Sequence, residues 1–340
     1  MRAAIVSRYG PPEVVELVEL HDPVPGPGEV LVRVRATTVS SGDARVRAFR
    51  VPGVFWVPAR LALGVMRPRR AVLGTEFAGV VEGVGEGVSR FAPGDRVFGM
   101  VSFSARSGTH AELVAIAADA MIDRMPEGMA FDEAGCLCFG LHTARHFLVR
   151  AGKLQPGERV LVIGASGAVG CAVVQLARHL GAHVTAVCST RHVDLMRELG
   201  ADAVIDYTRR SYTDLPDGQA GYELVVDTVG ASTPFACRRV MADGGRFIAV
   251  VADARLLVQA LWSSLTRSGR VITGTASERP EDAAYFREMV EAGAHRSVIE
   301  QRLPLDRIRE AHELVDTGRK QGNVVITIGY GSPLSRVGGE

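Results

Sequence analysis

Residues 159–170 read Arg-Val-Leu-Val-Ile-Gly-Ala-Ser-Gly-Ala-Val-Gly, and no other stretch limits the choice of fold so tightly. Val160 to Ile163 is a short apolar run suited to a strand buried on both faces. Gly164, Gly167 and Gly170 follow at a spacing of three, and Cys171 to Leu180 then puts Val173, Val174, Leu176, Ala177 and Leu180 on one side of a helix. Strand, glycine turn and helix in that order form a mould for a pyrophosphate. Residues without bulk let backbone N–H groups approach the phosphates, and the helix N-terminus adds its partial positive charge. Gly170 also lets the helix lie close against the strand. The predicted binding turn is Gly164, Ser166, Gly167, Ala168, Val169 and Gly170, with Ala165 in place of the usual first glycine of the pattern. A glycine turn alone is a weak signal, so its neighbourhood decides.

That neighbourhood repeats the pattern. The helix ends at Gly181, and His183–Cys188 reads as a second strand. Asp194–Ala201 reads as a helix with a glycine near its end, and Ala203–Asp206 as a third strand. Leu224–Asp227, Arg246–Val251 and Arg270–Thr273 supply a fourth, fifth and sixth. Short apolar runs separated by helical or turn segments predict an α/β fold with a doubly wound parallel sheet. The end of the second strand bears on the cofactor. Folds of this kind that prefer NAD carry an acid there for the ribose hydroxyls. This strand ends Cys188-Ser189-Thr190-Arg191, with no acid. Two hydroxyls and an arginine suit a 2′-phosphate, because the guanidinium offers a fork of donors. The alternative is a solvated loop whose Arg191 touches nothing. NADP(H) is expected, held at this end by Ser189, Thr190 and Arg191.

A chain of 340 residues fits two domains better than one, and 47% hydrophobic residues allow large cores. A formal net charge of +1 gives no electrostatic case for nucleic acid or an acidic surface as partner. Arg60, Arg67, Arg69 and Arg70 cluster among apolar residues and prolines, and read as a solvated loop rim. The first ten residues lack the apolar core of a signal peptide. Val51 to Met66 comes nearest to a membrane span, but Pro52, Pro58 and Arg60 break it, so no membrane partner is expected. Five cysteines at irregular spacing predict reduced thiols and a cytoplasmic location.

The first stretch of the chain has a different texture, with β-branched runs and glycine turns typical of β domains. Val30–Arg35 alternates like a half-buried strand, Gly79–Val88 runs into a glycine-rich turn, and Gly94–Gly99 gives another turn and strand. Phe131 to Val149 reads as one helix feeding the glycine-turn strand. Ala283–Ala292 and Pro304–Val315 read as helices, and Asn323–Ile328 as a last strand. A β-rich start and a closing strand predict a discontinuous first domain, residues 1–127 with 278–340, around a nucleotide-binding domain at 128–277.

Ordered pieces along nearly the whole chain resemble the medium-chain dehydrogenase/reductase superfamily. They are Pro25–Val34, Gly74-Thr-Glu-Phe-Ala-Gly-Val-Val81, Phe91–Val97, Gly140-Leu-His-Thr-Ala144, Pro156–Val162 and Gly164–Gly170. The chain looks most like the zinc-independent quinone oxidoreductase branch. The resemblance implies a GroES-like β domain beside a Rossmann domain, with the active site in the cleft between them. Zinc-dependent members hold catalytic zinc with a cysteine, a histidine and a further cysteine or acid. The matching positions here are Ser40, Thr75 and Phe139, which supply neither thiolate nor imidazole. No metal is expected. His142 and His146 lie one helical turn apart but have no third ligand in view.

Lacking those ligands, the chain suits reduction of an already activated acceptor, a quinone or an α,β-unsaturated carbonyl. Two rival readings stay open: a pathway-specific alcohol or carbonyl dehydrogenase, and an NADPH-binding protein with little catalysis. By position, the resemblance makes Ser40, Asp43 and Thr143 the catalytic candidates, Ser40 and Thr143 also touching the nicotinamide. Ser40 would donate to the substrate oxygen, while Asp43 orients it or braces the loop. Thr143 contacts nicotinamide or bonds back to its own helix. Arg45 stands where relatives often carry a tyrosine. Tyr207 would pack on the adenosine side, and Val229 and Val250 end strands at the ligand-binding edge. The segment from Arg47 to Arg70, with Phe49, Val54, Phe55, Trp56, Leu61, Leu63 and Met66, reads equally as a lid on the cleft or as a tucked surface loop. Branch relatives pair Rossmann sheets edge to edge, which makes Arg270–Thr273 the seam of an expected homodimer.

Overall fold

The computed structural model describes residues 1–51, 53, 56–102, 107–214, 221–251, 256 and 270–329. Val54 and Phe55 of the Arg47–Arg70 segment lie outside them. The chain begins with the hairpin pair β1 (Arg2–Val6) and β2 (Val15–Glu19), then β3 (Glu29–Thr38), α1 (Ser41–Ala48) and α2 (Trp56–Leu63). β4 (Glu76–Val84), β5 (Arg96–Met100), β6 (Leu113–Ala117) and β7 (Ile122–Arg124) follow. Alternation along β3 places Val30, Val32 and Val34 in a core with Phe77, Val81 and Val97. Glycine permits the closest approach of strands here: a Cβ on Gly79 would meet the Arg33 carbonyl oxygen at 2.2 Å.

The next stretch is not the single helix expected over 131–149. It divides into α3 (Phe131–Ala134), α4 (Cys138–Arg145) and a wider π turn over His146–Ala151. The break falls where Gly135 packs on β3, so tightly that a Cβ there would meet the Ala36 Cβ at 2.8 Å. The π turn has a packing consequence. Residues five apart on an α-helix point about 140° away from each other, yet Arg145 and Arg150 both pair with the buried Asp282. The wider turn brings them to one side.

β8 (Arg159–Ile163), α5 (Ala168–His179), β9 (His183–Cys188), α6 (Val193–Glu198), β10 (Ala203–Asp206), β11 (Tyr222–Asp227), α7 (Pro234–Cys237), β12 (Met241–Ala249) and β13 (Arg270–Thr273) complete the second half. All six strands pair in parallel, in the order β10-β9-β8-β11-β12-β13. This is the doubly wound order 3-2-1-4-5-6, whose direction of growth reverses between β8 and β11. Val160, Leu161, Val162, Leu224, Val225 and Val226 are fully buried, as central strands covered on both faces must be.

α8 (Glu281–Glu291) leads to β14 (Ile299–Pro304), α9 (Ile308–Asp316) and β15 (Asn323–Thr327). The expected helix from Pro304 starts later, at Ile308. Pro304 instead ends an edge strand, where its missing N–H costs least. β15 pairs antiparallel with β3, Val325 facing Thr38, so the end of the chain joins the first, seven-stranded sheet.

Among the described residues β13 pairs only with β12 and ends its sheet. A short apolar edge of this kind invites pairing. Light scattering at micromolar concentration is expected to give the mass of a homodimer, and a monomer would remove edge pairing from consideration.

Candidate active site

Ser40 caps α1. Its Oγ accepts the Asp43 N–H at 3.2 Å, while its own N–H and hydroxyl both donate to Asp43 Oδ2, at 2.9 and 2.6 Å. This reciprocal box satisfies the free donors of the first helical turn. The other carboxylate oxygen of Asp43 accepts the N–H of Gly74 at 2.9 Å. Asp43 therefore braces two loops and at the same time holds the Ser40 hydroxyl. The single proton of the Ser40 hydroxyl is committed to Asp43, so at rest Ser40 offers lone pairs rather than a donor.

Two residues beyond Gly74 stands Glu76, which the sequence reading passed over. It is 1% exposed, yet it carries a carboxyl group. Thr38 Oγ1 donates to its Oε1 at 2.5 Å, and the N–H of Phe139 donates to its Oε2 at 2.8 Å. Phe139 lies in the first turn of α4, where free N–H groups and the helix dipole favour an anion. Burial outweighs these bonds and pushes the carboxyl up to about 7. Next to it, the fully buried Thr75 Oγ1 has no hydrogen-bond partner among the described residues.

α4 also reaches the glycine turn. A Cβ on Gly140 would meet the carbonyl oxygen of Ala168 at 3.0 Å, and one on Gly42 would meet the Phe139 ring at 3.6 Å. Ser40, Phe139 and the start of α5 therefore lie in one contiguous set of contacts. Thr143, one turn further along α4, donates its hydroxyl to the Phe139 carbonyl at 2.8 Å. That is the back-bonded arrangement; the oxygen keeps lone pairs free to accept.

The turn itself is shaped as a cradle. Gly164 sits at φ +75°, and a Cβ there would strike Val229 Cγ1 at 2.6 Å. Gly170 lies against the turn, where a Cβ would meet the Gly164 carbonyl at 2.2 Å. Gly167 is the N-cap of α5 and provides no side-chain acceptor, so the first amides of that helix stay available to an anion. The site opens at the carboxyl ends of β8 and β11, the switch point of the sheet. Val229 is half exposed there, and Val250, just past β12, donates its N–H to the Asp227 carbonyl. The turn is steadied from the far end of the chain: the Gly322 N–H donates to the Ser166 carbonyl at 2.8 Å.

At the end of β9, Arg191 donates through Nη2 to the Arg319 carbonyl at 2.7 Å and through Nε to His192. It is not the untethered arginine of a solvated loop. Thr190 donates to Asp206 Oδ2 at 2.6 Å. Asp206 ends β10 directly beside Cys188, so a carboxylate does reach this corner, from the neighbouring strand. Its other oxygen accepts the N–H and hydroxyl of Thr208, and these bonds with Arg209 hold it below the usual carboxylate range. Ser189 precedes Thr190 at the strand end, and Tyr207, 56% exposed, follows Asp206.

Of the Arg47–Arg70 segment, Arg70 reaches this set by donating to the Gly74 carbonyl beside Asp43. Trp56, Leu61 and Met66 line a separate groove that shares none of its lining residues with the site. His142 is buried 3.7 Å from Asp282, and His146 accepts from the Ser277 N–H.

Residues 26–127 match the alcohol dehydrogenase GroES-like domain, and residues 199–326 match the family described as zinc-binding dehydrogenase. The chain is 30% identical over 339 residues to the chloroplastic quinone-oxidoreductase QR1 of Triphysaria versicolor, covering 96% of this chain and 98% of that one. The solved quinone oxidoreductase from Coxiella burnetii aligns with a TM-score of 0.83 at 25% identity, over 97% of this chain and 99% of that one. A solved NAD-dependent alcohol dehydrogenase aligns with a TM-score of 0.83 at 28% identity, over 97% and 100%. The zinc in one family description does not fit the residues present. The Ser40 hydroxyl is tied to Asp43, Thr75 is no ligand of the required kind, and Phe139 has no donor atom. Among the described residues no group of three or more His, Cys, Asp or Glu is placed to hold a metal ion.

The Glu76 carboxyl gives this site a pH signature. Its folded-state value of about 7 lies above the ordinary 4.5, so between those values the folded chain holds a proton that the unfolded chain has lost. Stability then falls as pH rises through that window and levels off above it, by an amount of order ~3 kcal/mol from this group. Glu76→Gln keeps an acceptor for Phe139 and removes the charge. Its melting temperature is expected to rise relative to wild type from pH 5 to pH 7.5; a constant difference would show that Glu76 does not titrate in this range.

Proposed function

Because the chain belongs to the medium-chain dehydrogenase/reductase superfamily, in its quinone oxidoreductase branch, we propose that it transfers hydride from NADPH to a quinone or an α,β-unsaturated carbonyl without zinc. The observation that carries this reading is the uncapped N-terminus of α5 at the sheet's switch point, with α4 packed against its first turn. When bound, the nicotinamide supplies the hydride; the chain's residues orient and desolvate. The amides that follow Gly167 would hold the pyrophosphate, and Gly164 and Gly170 would let it approach the backbone. Thr143, whose proton is on the Phe139 carbonyl, would accept the nicotinamide's amide N–H through its free lone pairs. Ser40 and Asp43 keep the loop before α1 rigid beside Phe139, which supports an oriented, water-poor pocket.

An activated acceptor suits these residues. It takes hydride at carbon and spreads the charge onto oxygen, so it needs hydrogen bonds more than a Lewis acid. A simple alcohol would need a metal or a free base to take its proton; Ser40, Thr75 and Phe139 are no zinc ligand set, and the Asp43 carboxylate is taken up by Ser40 and Gly74. NADPH oxidation against a panel of quinones, enones, enals and simple ketones is expected to be fast for the first two classes. Efficient turnover of ethanol-sized alcohols, with quinones and enones inert, would overturn the proposal.

Preference for the 2′-phosphate rests on Arg191, held in place by the Arg319 carbonyl beside Ser189 and Thr190. Asp206 works against it, though its charge is taken up by Thr190, Thr208 and Arg209. Arg191→Ala is expected to weaken NADPH binding by about 1–3 kcal/mol and to leave NADH almost unchanged. Asp206→Asn is expected to tighten NADPH selectively. Equal wild-type affinity for both cofactors, unmoved by either change, would assign the corner to the ribose alone.

A further inference from the structure

From α2 and the loop that follows it, we infer that this chain docks on the surface of an anionic lipid bilayer. α2 buries none of its residues. With the following loop it lines a groove of about 610 Å³, on which Trp56, Val57, Leu61, Val65 and Met66 are between 49% and 84% exposed. Apolar residues scattered singly on a surface need no explanation, but five gathered around one groove do.

The charge around this ridge has one sign. Between Asp43 and Glu76 the sequence contains seven arginines and neither an aspartate nor a glutamate. Four of the seven are occupied or internal. Arg47 and Arg50 pair with Asp316, Arg70 donates to the carbonyls of Ser102 and Gly74, and Arg60 lies over the Phe49, Tyr9 and Trp56 rings. Arg60 thereby anchors α2 to the body of the protein by its inner side. Arg67 and Arg69 are exposed on the same loop as Val65 and Met66, and Arg8 lines the groove. None of these three has an ion-pair partner among the described residues.

A tryptophan and aliphatic side chains beside unpaired arginines match the boundary between acyl chains and anionic headgroups. A membrane-crossing segment is a different matter: among the described residues no helix is long and apolar enough. The geometry is that of a surface contact. A second protein copy would bring an equal set of arginines against this one, and the like charges would oppose it. An anionic bilayer meets both the apolar ridge and the arginines. The groove shares none of its lining residues with the candidate active site.

The full chain, sedimented with vesicles of phosphatidylcholine alone or with 30 mol% phosphatidylglycerol (~0.1 M salt), tests this. Co-sedimentation with the anionic vesicles only is expected. It should weaken by about tenfold in Arg67→Glu/Arg69→Glu and in Leu61→Ser/Met66→Ser, and as salt rises. Both pairs lie on the surface, and unchanged melting and NADPH binding confirm that the variants are folded. Absence of binding to anionic vesicles overturns the inference, as does equal binding to both vesicle types. Self-association that is lost in Leu61→Ser/Met66→Ser, without vesicle binding, would also overturn it and assign the patch to a second copy.

Discussion

One buried carboxylate ties the molecule together. Glu76 begins a strand of the first sheet, and its Oε2 accepts the N–H of Phe139 in the first turn of α4. α4 packs on α5, the helix that follows the glycine turn in the second half of the chain. One link from the first sheet to the second half thus passes through an acidic side chain at a helix N-terminus. Its location explains its price in solvation. A carboxylate at 1% exposure is costly to ionise, and only the donors of Thr38, Phe139 and the neighbouring backbone offset that cost. An apolar residue of similar size would pack, but would leave the α4 amide and the Thr38 hydroxyl without partners. The contact is therefore specified by chemistry as much as by shape.

Most of the second half was legible because its signals are local. β8, the glycine turn and α5 follow one another in sequence, and each strand of the parallel sheet is a short apolar run bounded by turns. What escaped depends on contacts between distant segments. Glu76 reads as one acid among many until the fold sets it against residue 139. Asp206 became relevant only through register, since the pairing of β10 with β9 brings it opposite Cys188 and within reach of Thr190. The absence of an acid at the end of β9 was read correctly, yet an acid arrives there from the adjacent strand. The break between α3 and α4 follows the same logic. The stretch 131–149 has helical composition, but Gly135 meets Ala36 of β3, nearly a hundred residues earlier. The Thr143 hydroxyl and the Asp43 carboxylate show the limit at the site itself. Residue type and position made them candidates, while the bonds they make at rest come from backbone groups that the sequence pattern does not show.

The glycine turn is held from three sides by segments remote in sequence. Val229 and Thr228, just beyond β11, crowd Gly164; Gly140 of α4 lies against Ala168; and Gly322, just before β15, donates to Ser166. A loop this short and rich in glycine would otherwise lose much conformational entropy on meeting a ligand. Here that loss is met during folding, so the N–H groups at the start of α5 are already in place for an anion. The third support has a further effect. Gly322 precedes the strand that pairs with β3, and Arg319, three residues earlier, holds Arg191 through its carbonyl. The same short segment contacts the glycine turn, the Arg191 corner at the end of β9, and the sheet that carries Glu76. Closing the chain with β15 on the first sheet therefore does more than complete that sheet. It ties the glycine turn and the Arg191 corner to the sheet that leads into Ser40, so the long-range pairing of β15 with β3 sets where these segments lie relative to one another.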